Sequence, residues 1–266
     1  MDADTARRLA AMTSQFYALR GSSFSSTRDH PWPGWSRCRA YVERLVDATT
    51  VRVLDLACGN LRFSDYLQTQ FPSVTWDYRG FDNAAAMTPP DRQIQVLDIM
   101  DALFRDDLDD RLAHGLRTSS IHSTRWDGQR DQAGTADLSV CFGFLHHVPT
   151  PDLRTRLVDA VIRSTRPGGV AILTAWQFAL DPLAKAKAEV ATSWALSHRG
   201  LTGLDAGDYL LGWQGDLEAL RYSHSFSDAE IDELIHSTTG HARLLSRFRA
   251  DGKTNAMNTY LVFQVG

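Results

Sequence analysis

The sequence predicts an α/β fold with a doubly wound, mostly parallel sheet of seven strands and an antiparallel last strand. Short apolar runs alternate with helix-forming segments along most of the chain, which is typical of a parallel sheet with helical crossovers. The last two apolar runs are separated only by DGKTNAM, so they are expected to pair antiparallel at a sheet edge. With 266 residues, 43% of them hydrophobic, the chain is long enough for one large core, and we predict a single domain, 1–266.

Two amphipathic helices are expected before the first strand, within residues 1–50. Apolar residues recur at helical spacing in the first helix and again in the second: Leu9, Met12, Phe16 and Leu19, then Tyr41, Leu45 and Val46. Between the helices lies FSSTRDHPWPGW, residues 24–35, which holds two tryptophans and two prolines. Proline stiffens such a stretch at low entropic cost. We therefore interpret it as a lid over a binding site, with Arg28 directed into the pocket.

The strands and helices that follow can be assigned in order. VRVLDLAC is a buried parallel strand, and LRFSDYLQTQF is a helix. WDYRGFD, IQVLDI and ADLSVCFGF are predicted as strands two to four, and VAILTAW as strand five. Before strand five, TPDLRTRLVDAVIRSTRPGG is a helix with Thr150 as its N-cap and Pro-Gly-Gly as its stop. SDAEIDELIHSTTG is a capped helix that ends at Gly240, and ARLLSRFRA and NTYLVFQV complete the sheet.

Two segments interrupt the alternation. Residues 100–135 are polar and long and lack strong periodicity, which predicts an insertion. Residues 178–226 are expected to hold one helix, DPLAKAKAEVATSWAL, followed by a loop rich in glycine and aromatic residues. We predict that this second insertion lies on the substrate side.

Composition limits the class of partner and compartment. The formal net charge of −4 gives no general attraction to nucleic acid or to an anionic membrane, so a polyanion would need a local basic patch. The three cysteines are widely spaced, which fits a reduced cytosol and argues against a disulfide framework or a cysteine-rich metal site. No signal-peptide run and no uncharged membrane-spanning stretch is evident. We expect a cytoplasmic protein that has no membrane partner.

Acidic residues follow successive predicted strands, where open α/β sheets bind their ligands. Asp55 precedes the turn after strand one, Asp82 ends strand two and Asp98 ends strand three. An acid after strand two commonly holds ribose hydroxyls, so the pattern favours an adenosine-type ligand. Ordinary loop-capping acids are the alternative.

A dinucleotide fingerprint would require glycine at three positions of the first turn. Here these positions are Ala57, Gly59 and Arg62, so only one glycine is present. Together with the antiparallel final pair, this favours S-adenosylmethionine over NAD.

At this point the sequence resembles a known family. VLDLACGN, GFDNA, FGFLHHVPT and RPGGVAILTAW are similar to the motifs of class I S-adenosylmethionine-dependent methyltransferases, which have a Rossmann-like sheet. FSSTRDHPWP and GDYLLGWQGDLEALRYSHSF resemble two narrower stretches of the tRNA wobble-uridine carboxymethyl methyltransferases, including the methyltransferase domain fused to an AlkB-like tRNA hydroxylase. The chain departs from the family at Ala57 and Leu61, where glycine is common, and at Ser223, where tyrosine is common. The resemblance implies these cofactor-binding residues: Asp55, Ala57, Gly59, Asp82, Asn83, Asp98 and Phe142.

In that family the methyl group is transferred to a carboxylate. A carboxylic acid has a pKa of about 4 and is already ionised at neutral pH, so no general base is required. A bidentate arginine would position it best, and Arg28 and Arg221 are the candidates. The alternatives are a surface ion pair of Arg28 with Asp29 and a solvated role for Arg221. Of the two adjacent histidines we favour His146 over His147 as the hydrogen-bond donor, and Trp176 is a candidate lining residue.

The resemblance also implies partners. It suggests tRNA as the substrate and a small zinc-binding activator subunit of the kind eukaryotic members use. The local charge of residues 241–253 supplies the basic residues that would dock the tRNA: Arg243, Arg247, Arg249 and Lys253. We predict no metal site in the chain itself. A small-molecule methyltransferase remains an alternative, and so does a non-catalytic binding module, which Leu61 in the cofactor turn mildly favours.

Overall fold

The computed structural model describes residues 1–46, 50–89, 91–117 and 135–266. Helices and strands alternate through these ranges. The helices are α1 (Ala3–Ser25), α2 (Pro33–Val42), α3 (Arg62–Gln70), α4 (Ile99–Arg105), α5 (Leu108–Arg117), α6 (Pro151–Arg163), α7 (Pro182–Arg199) and α8 (Asp228–Ser237). The strands are β1 (Thr50–Leu56), β2 (Thr75–Asp82), β3 (Gln95–Val96), β4 (Ala136–Cys141), β5 (Thr165–Trp176), β6 (Asp208–Trp213), β7 (Asp216–His224), β8 (Ala242–Ala250) and β9 (Asn258–Val265).

Seven strands form one sheet in the order β3-β2-β1-β4-β5-β9-β8. The first five strands pair in parallel, whereas β9 runs antiparallel to β5 and β8 antiparallel to β9. The predicted fold class and the antiparallel pair at the edge are both confirmed. In this register Asp55 lies beside Gly80 of β2 and Val140 of β4, so the polar ends of the central strands reach the same edge.

The core consists of a layer on each sheet face. Alternate residues of β1 point to opposite layers: Val53 packs with α2 and α3, and Leu54 packs with α4, α5, α6 and α8. A third, smaller cluster joins α1 and α7 to β6 and β7 through Leu9, Ala195 and Tyr222. This third cluster holds α1 and the β6–β7 pair together.

The first part of the predicted polar insertion is helical, contrary to expectation. Leu108, Leu112 and Leu116 recur four residues apart on α5 and are buried. The acidic run around Leu108 hid this periodicity, because Asp109, Asp110 and Arg111 fill the exposed face of the first turn. Residues 118–134 lie outside the described part of the chain, so the prediction for that segment stays a prediction.

The expected loop after α7 contains a β-hairpin that the sequence analysis missed. β6 and β7 pair antiparallel and are joined by Gln214 and Gly215, which have φ values of 53° and 85°. Two residues with positive φ make the hairpin turn that matches strand twist. The hairpin carries Arg221, so a candidate site residue lies on a strand and not in the predicted loop.

Three smaller expectations also need correction. The second helix buries Trp35, Cys38 and Val42, rather than the face with Tyr41. Leu19 is exposed although it continues the apolar spacing of α1. The Pro-Gly-Gly sequence lies within β5, since α6 has already ended at Arg163. The predicted Thr150 N-cap is confirmed, with its hydroxyl accepting from the Leu153 amide.

Candidate functional site

A cavity of about 1140 Å³ opens at the carboxyl ends of the central strands. Its floor is the sheet edge, and its walls come from α1, the loop before α2 and the start of α4. All ten residues predicted for the site line this cavity: Arg28, Asp55, Ala57, Gly59, Asp82, Asn83, Asp98, Phe142, His146 and Arg221. The structure therefore brings them together, whereas the individual roles assigned to them stay predictions.

The turn after β1 is held tightly against β2. The amides of Ala57 and Cys58 both donate to the Phe81 carbonyl, at 2.8 and 3.2 Å. The Gly59 amide donates to Asp82 Oδ2 at 2.8 Å. This links the turn directly to the acid at the end of the neighbouring strand.

Leu61 takes a left-handed conformation, with φ of 63°, where related turns have glycine. Its side chain is buried, and a Cβ at Gly80 of β2 would lie 3.0 Å from its Cδ2 atom. The missing side chain on β2 makes room for Leu61. Packing therefore compensates for the unusual residue, and Leu61 does not support a non-catalytic binding module.

Three carboxylates face the cavity from successive strand ends. Burial raises the pKa of Asp55 to about 7, although the Tyr78 hydroxyl donates to it. Burial also raises the pKa of Asp82, whose Oδ1 accepts from the Ala84 amide at 2.7 Å. Asp98 caps α4 by accepting from the Asp101 amide. This side of the cavity suits hydroxyl groups and cationic groups.

The loop between α1 and α2 is shorter than the stretch interpreted as a lid, residues 24–35, because α1 continues through Ser25 and α2 begins at Pro33. Within the remaining loop the Arg28 guanidinium donates to the Phe24 carbonyl at 3.1 Å and lies 3.3 Å from the centre of that ring. Asp29 pairs with His30, so the alternative surface pair of Arg28 with Asp29 is absent. Burial lowers the pKa of Arg28 to about 10.

Arg221 of β7 joins the same aromatic cluster and is 7% exposed, which rules out the solvated role. Its guanidinium lies 4.8 Å from the Phe16 ring and 5.5 Å from the Phe24 ring and donates to the Gly212 carbonyl. Burial lowers the pKa of Arg221 as well. Within the described ranges neither Arg28 nor Arg221 has a carboxylate in ion-pair distance. A half-buried and a buried cation beside the Phe24 ring thus lack an anion among the described residues.

The two adjacent histidines have different surroundings. His147 Nδ1 lies 2.6 Å from the Tyr222 carbonyl, which can only accept, so Nδ1 carries the proton. Nε2 then accepts from the Tyr17 hydroxyl at 2.9 Å, and burial lowers the pKa of His147 to about 3. His146 packs 4.8 Å from the Trp176 ring, and its Nδ1 has no partner among the described residues. Burial, above all, holds its pKa well below the usual value, so both rings are neutral.

Tyr17, Asn60 and Arg62 are among the cavity residues that were not selected as site residues from the sequence. Asn60 Nδ2 donates to the Arg28 carbonyl at 3.0 Å, and Arg62 donates to the His30 carbonyl at 3.0 Å. Both contacts span more than thirty positions and connect the turn after β1 to the loop before α2. No local pattern signals them, although Asn60 lies within the CGNLR turn that marked the site.

The predicted basic patch lies on and beyond β8, and its arginines are largely engaged. Arg247 contacts Asp228 and Asp232, and Arg249 contacts Asp228. Arg243 donates to Gln264 at 3.0 Å. Two of the four cations are therefore neutralised within the chain, which reduces their pull on phosphate.

The described ranges lack two features. They contain no helix long and apolar enough to cross a membrane. Nor do they contain a group of three or more His, Cys, Asp or Glu side chains placed to hold a metal ion.

Comparison with known proteins places the site in context. The family described as "Methyltransferase domain" matches residues 30–238. The tRNA (carboxymethyluridine(34)-5-O)-methyltransferase ALKBH8 of Mus musculus is 26% identical over 163 residues, which are 61% of this chain and 19% of that protein. The Macaca fascicularis protein of the same name is 24% identical over 176 residues, 66% of this chain and 21% of its own length. The chain thus spans about a fifth of these curated relatives.

A solved structure supports the fold. The DhpI-SAM-HEP complex superposes with a TM-score of 0.53 at 16% identity, covering 96% of this chain and 97% of that one. At this level of identity the likeness extends to the fold alone.

Proposed function

Because this chain belongs to the methyltransferase-domain family and is an S-adenosylmethionine-dependent methyltransferase, we propose that it transfers the methyl group to a carboxylate oxygen. The observation that carries the proposal is a pair of guanidinium groups beside one ring, the half-buried Arg28 and the buried Arg221, without a carboxylate partner among the described residues. Burying an unpaired charge costs several kcal/mol, a cost that an anionic ligand would offset. A carboxylate suits two planar donors best.

The residues present fit the cofactor. Asp55 and Asp82 reach the cavity from the ends of β1 and β2, and the two arginines reach it from the loop before α2 and from β7, so a cationic, hydroxyl-bearing cofactor and an anionic acceptor have complementary surroundings. Gly59, with φ of 53°, leaves the backbone open beside Asp82. When bound, S-adenosylmethionine supplies an electrophilic methyl group at its sulfonium centre. Asp82 would hold ribose hydroxyls, and Asp55 a cationic group.

The chain's own residues then have three tasks. Arg28 and Arg221 hold the carboxylate in one orientation, and neutral His146 donates a single hydrogen bond to it. Phe16, Phe24 and Trp213 lie beside the arginines and limit their contact with water, so electrostatic contacts there are stronger than in solvent. No base is needed, which agrees with two histidines whose pKa values are lowered by burial.

We further propose that the acceptor carboxylate is the carboxymethyl group of a wobble uridine in tRNA. The support is the similarity to ALKBH8 together with the two narrow sequence stretches. A free small carboxylic acid is the second candidate, favoured because Arg247 and Arg249 are already paired.

Incubation with labelled cofactor separates these candidates. We expect label on undermethylated tRNA that is removed by mild alkali, because methyl esters hydrolyse there. Binding should also weaken with salt, by a slope of about 0.7–0.9 per phosphate contact. Alkali-stable label would contradict the carboxylate, and label on free acids alone would point to the second candidate. Arg243→Glu and Lys253→Glu should raise KM for tRNA; reversing Arg247 is unsuitable, since it would face Asp228 and Asp232.

Cofactor binding is expected to release protons near neutral pH. Burial raises the pKa of Asp55 to about 7, so the carboxyl is partly protonated in the free enzyme. A cationic ligand group beside it lowers this pKa, so binding expels a proton and affinity rises as pH increases toward about 7. Calorimetry in buffers of different ionisation enthalpy measures the release. Asp55→Asn should abolish it, and S-adenosylhomocysteine, which lacks the sulfonium charge, should show less. Equal proton release by Asp55→Asn would refute the assignment.

A further inference from the structure

The loop that carries Arg28 is attached to the turn after β1 by side chains of that turn. Asn60 Nδ2 donates to the Arg28 carbonyl at 3.0 Å and to Ser25 Oγ at 3.1 Å. Arg62 donates to the His30 carbonyl at 3.0 Å, and its guanidinium lies 5.7 Å from the Trp32 ring. The loop has no strand pairing, so these contacts matter for where Arg28 lies.

The orientation of the Asn60 amide follows from its partners. Nδ2 faces a carbonyl and a hydroxyl, while Oδ1 accepts from Arg62 Nε at 3.0 Å. A rotated amide would place Oδ1 against the Arg28 carbonyl and Nδ2 against a guanidinium, losing two of the three bonds and keeping at most a bond donated by the Ser25 hydroxyl. Asn60 therefore has one satisfied arrangement, and that arrangement fixes the main chain of Arg28.

The same turn forms the cofactor side of the cavity. Gly59, the preceding residue, donates its amide to Asp82, which we assign to the cofactor ribose. A ligand that restrains Asp82 also restrains Gly59, which is hydrogen-bonded to it. Asn60 is restrained in turn, because it follows Gly59 in the chain. The loop before α2 is then restrained through the Asn60 side chain.

We propose that Asn60 is a positioning residue that couples cofactor binding to the placement of Arg28, and so to acceptor binding. The inference rests on the proposed function insofar as Arg28 is the acceptor-binding group. The coupling itself involves the turn and the loop, whatever the acceptor is. Couplings of this kind are typically 5–150-fold in affinity.

Tryptic cleavage at the Arg28–Asp29 bond, followed by mass spectrometry, tests the coupling without any acceptor. Saturating S-adenosylhomocysteine should slow this cleavage by about tenfold or more in the wild type. Asn60→Asp keeps the oxygen that faces Arg62 but replaces the hydrogen bond to the Arg28 carbonyl by repulsion, while the Ser25 hydroxyl can turn to donate to the new oxygen. We expect this variant to lose the protection, with cofactor affinity by calorimetry changed by about threefold at most, since the donated bonds point away from Asp82.

Asn255→Asp is the matched control, because it adds the same charge at an exposed turn and keeps the oxygen that accepts from the Asp251 amide. It should behave like the wild type. Ser25→Ala, which removes one of the two acceptors, should show intermediate protection. The proposal is overturned if S-adenosylhomocysteine fails to protect the wild type, or if Asn60→Asp is protected equally. A failure to find alkali-labile label would refute the carboxylate acceptor instead, and would leave this result unaffected.

Discussion

Arg221→Met is expected to lower kcat/KM for the acceptor by about 10²–10³-fold while the protein remains at least as stable as the wild type. The loss follows from removing a preorganised charge from a dry site. The retained stability follows because Arg221 is 7% exposed and has no carboxylate partner in the described structure, so the wild type bears the desolvation cost. Methionine fills similar space against the Phe16 and Phe24 rings.

Two measurements check this expectation. Chemical denaturation gives the free energy of unfolding, and calorimetry with S-adenosylhomocysteine confirms that the cofactor side is intact. Arg28→Met should show the same combination, with a smaller gain in stability, because Arg28 is less buried than Arg221. A variant that is strongly destabilised but retains activity would show that Arg221 supports the fold rather than the acceptor.

The strand ends could be predicted from sequence because β-structure has strict periodicity. Once VRVLDLAC and WDYRGFD are parallel strands, Asp55 and Asp82 must reach the same edge of the sheet. The placement of these two acids at one edge therefore followed from local patterns, whereas Asn83 and Phe142 came from the family resemblance. Arg28 and Arg221 were likewise selected through family resemblance, and it is the aromatic ring of Phe24 that brings them together.

What was missed depends on contacts between distant segments. The hairpin of β6 and β7 lies in a stretch where glycines and aromatic residues obscure the alternation, and only packing of Tyr222 against α1 and α7 reveals its inner face. The links from Asn60 to Arg28 and from Tyr17 to His147 cross 32 and 130 positions. The neutralisation of Arg247 by Asp232 depends on α8 lying beside β8, which sequence spacing does not disclose.

Leu61 illustrates a related limit. Read alone, a leucine at a turn position that needs positive φ counts against a working cofactor site. The compensating residue is Gly80, which lies on another strand and leaves space for the leucine side chain. Both residues can be read from the sequence, but no local pattern predicts that Leu61 packs against Gly80.

Replacing a second buried arginine, Arg154, should destabilise the protein, in contrast to replacing Arg221. Arg154 of α6 is almost fully buried, and it donates to the Val148 carbonyl at 2.9 Å and the Tyr222 hydroxyl at 2.8 Å. Its guanidinium also lies 3.5 Å from the Asp208 carboxylate. Burial alone would raise the pKa of Asp208, but hydrogen bonds from His224 and Tyr222 outweigh this effect and lower it. The cation thus balances a buried anion.

Arg154→Met is therefore expected to cost about 3–5 kcal/mol of unfolding free energy, because it leaves the buried Asp208 without its arginine partner. Arg163→Met, on the same helix, is the control: its pair with Asp109 is exposed, and the cost should stay below about 1 kcal/mol. Equilibrium denaturation of the two variants beside Arg221→Met provides the comparison. If Arg154→Met proved as stable as Arg221→Met, pairing would not distinguish these two buried charges. The inference that the unpaired arginines await an anionic ligand would then lose its basis.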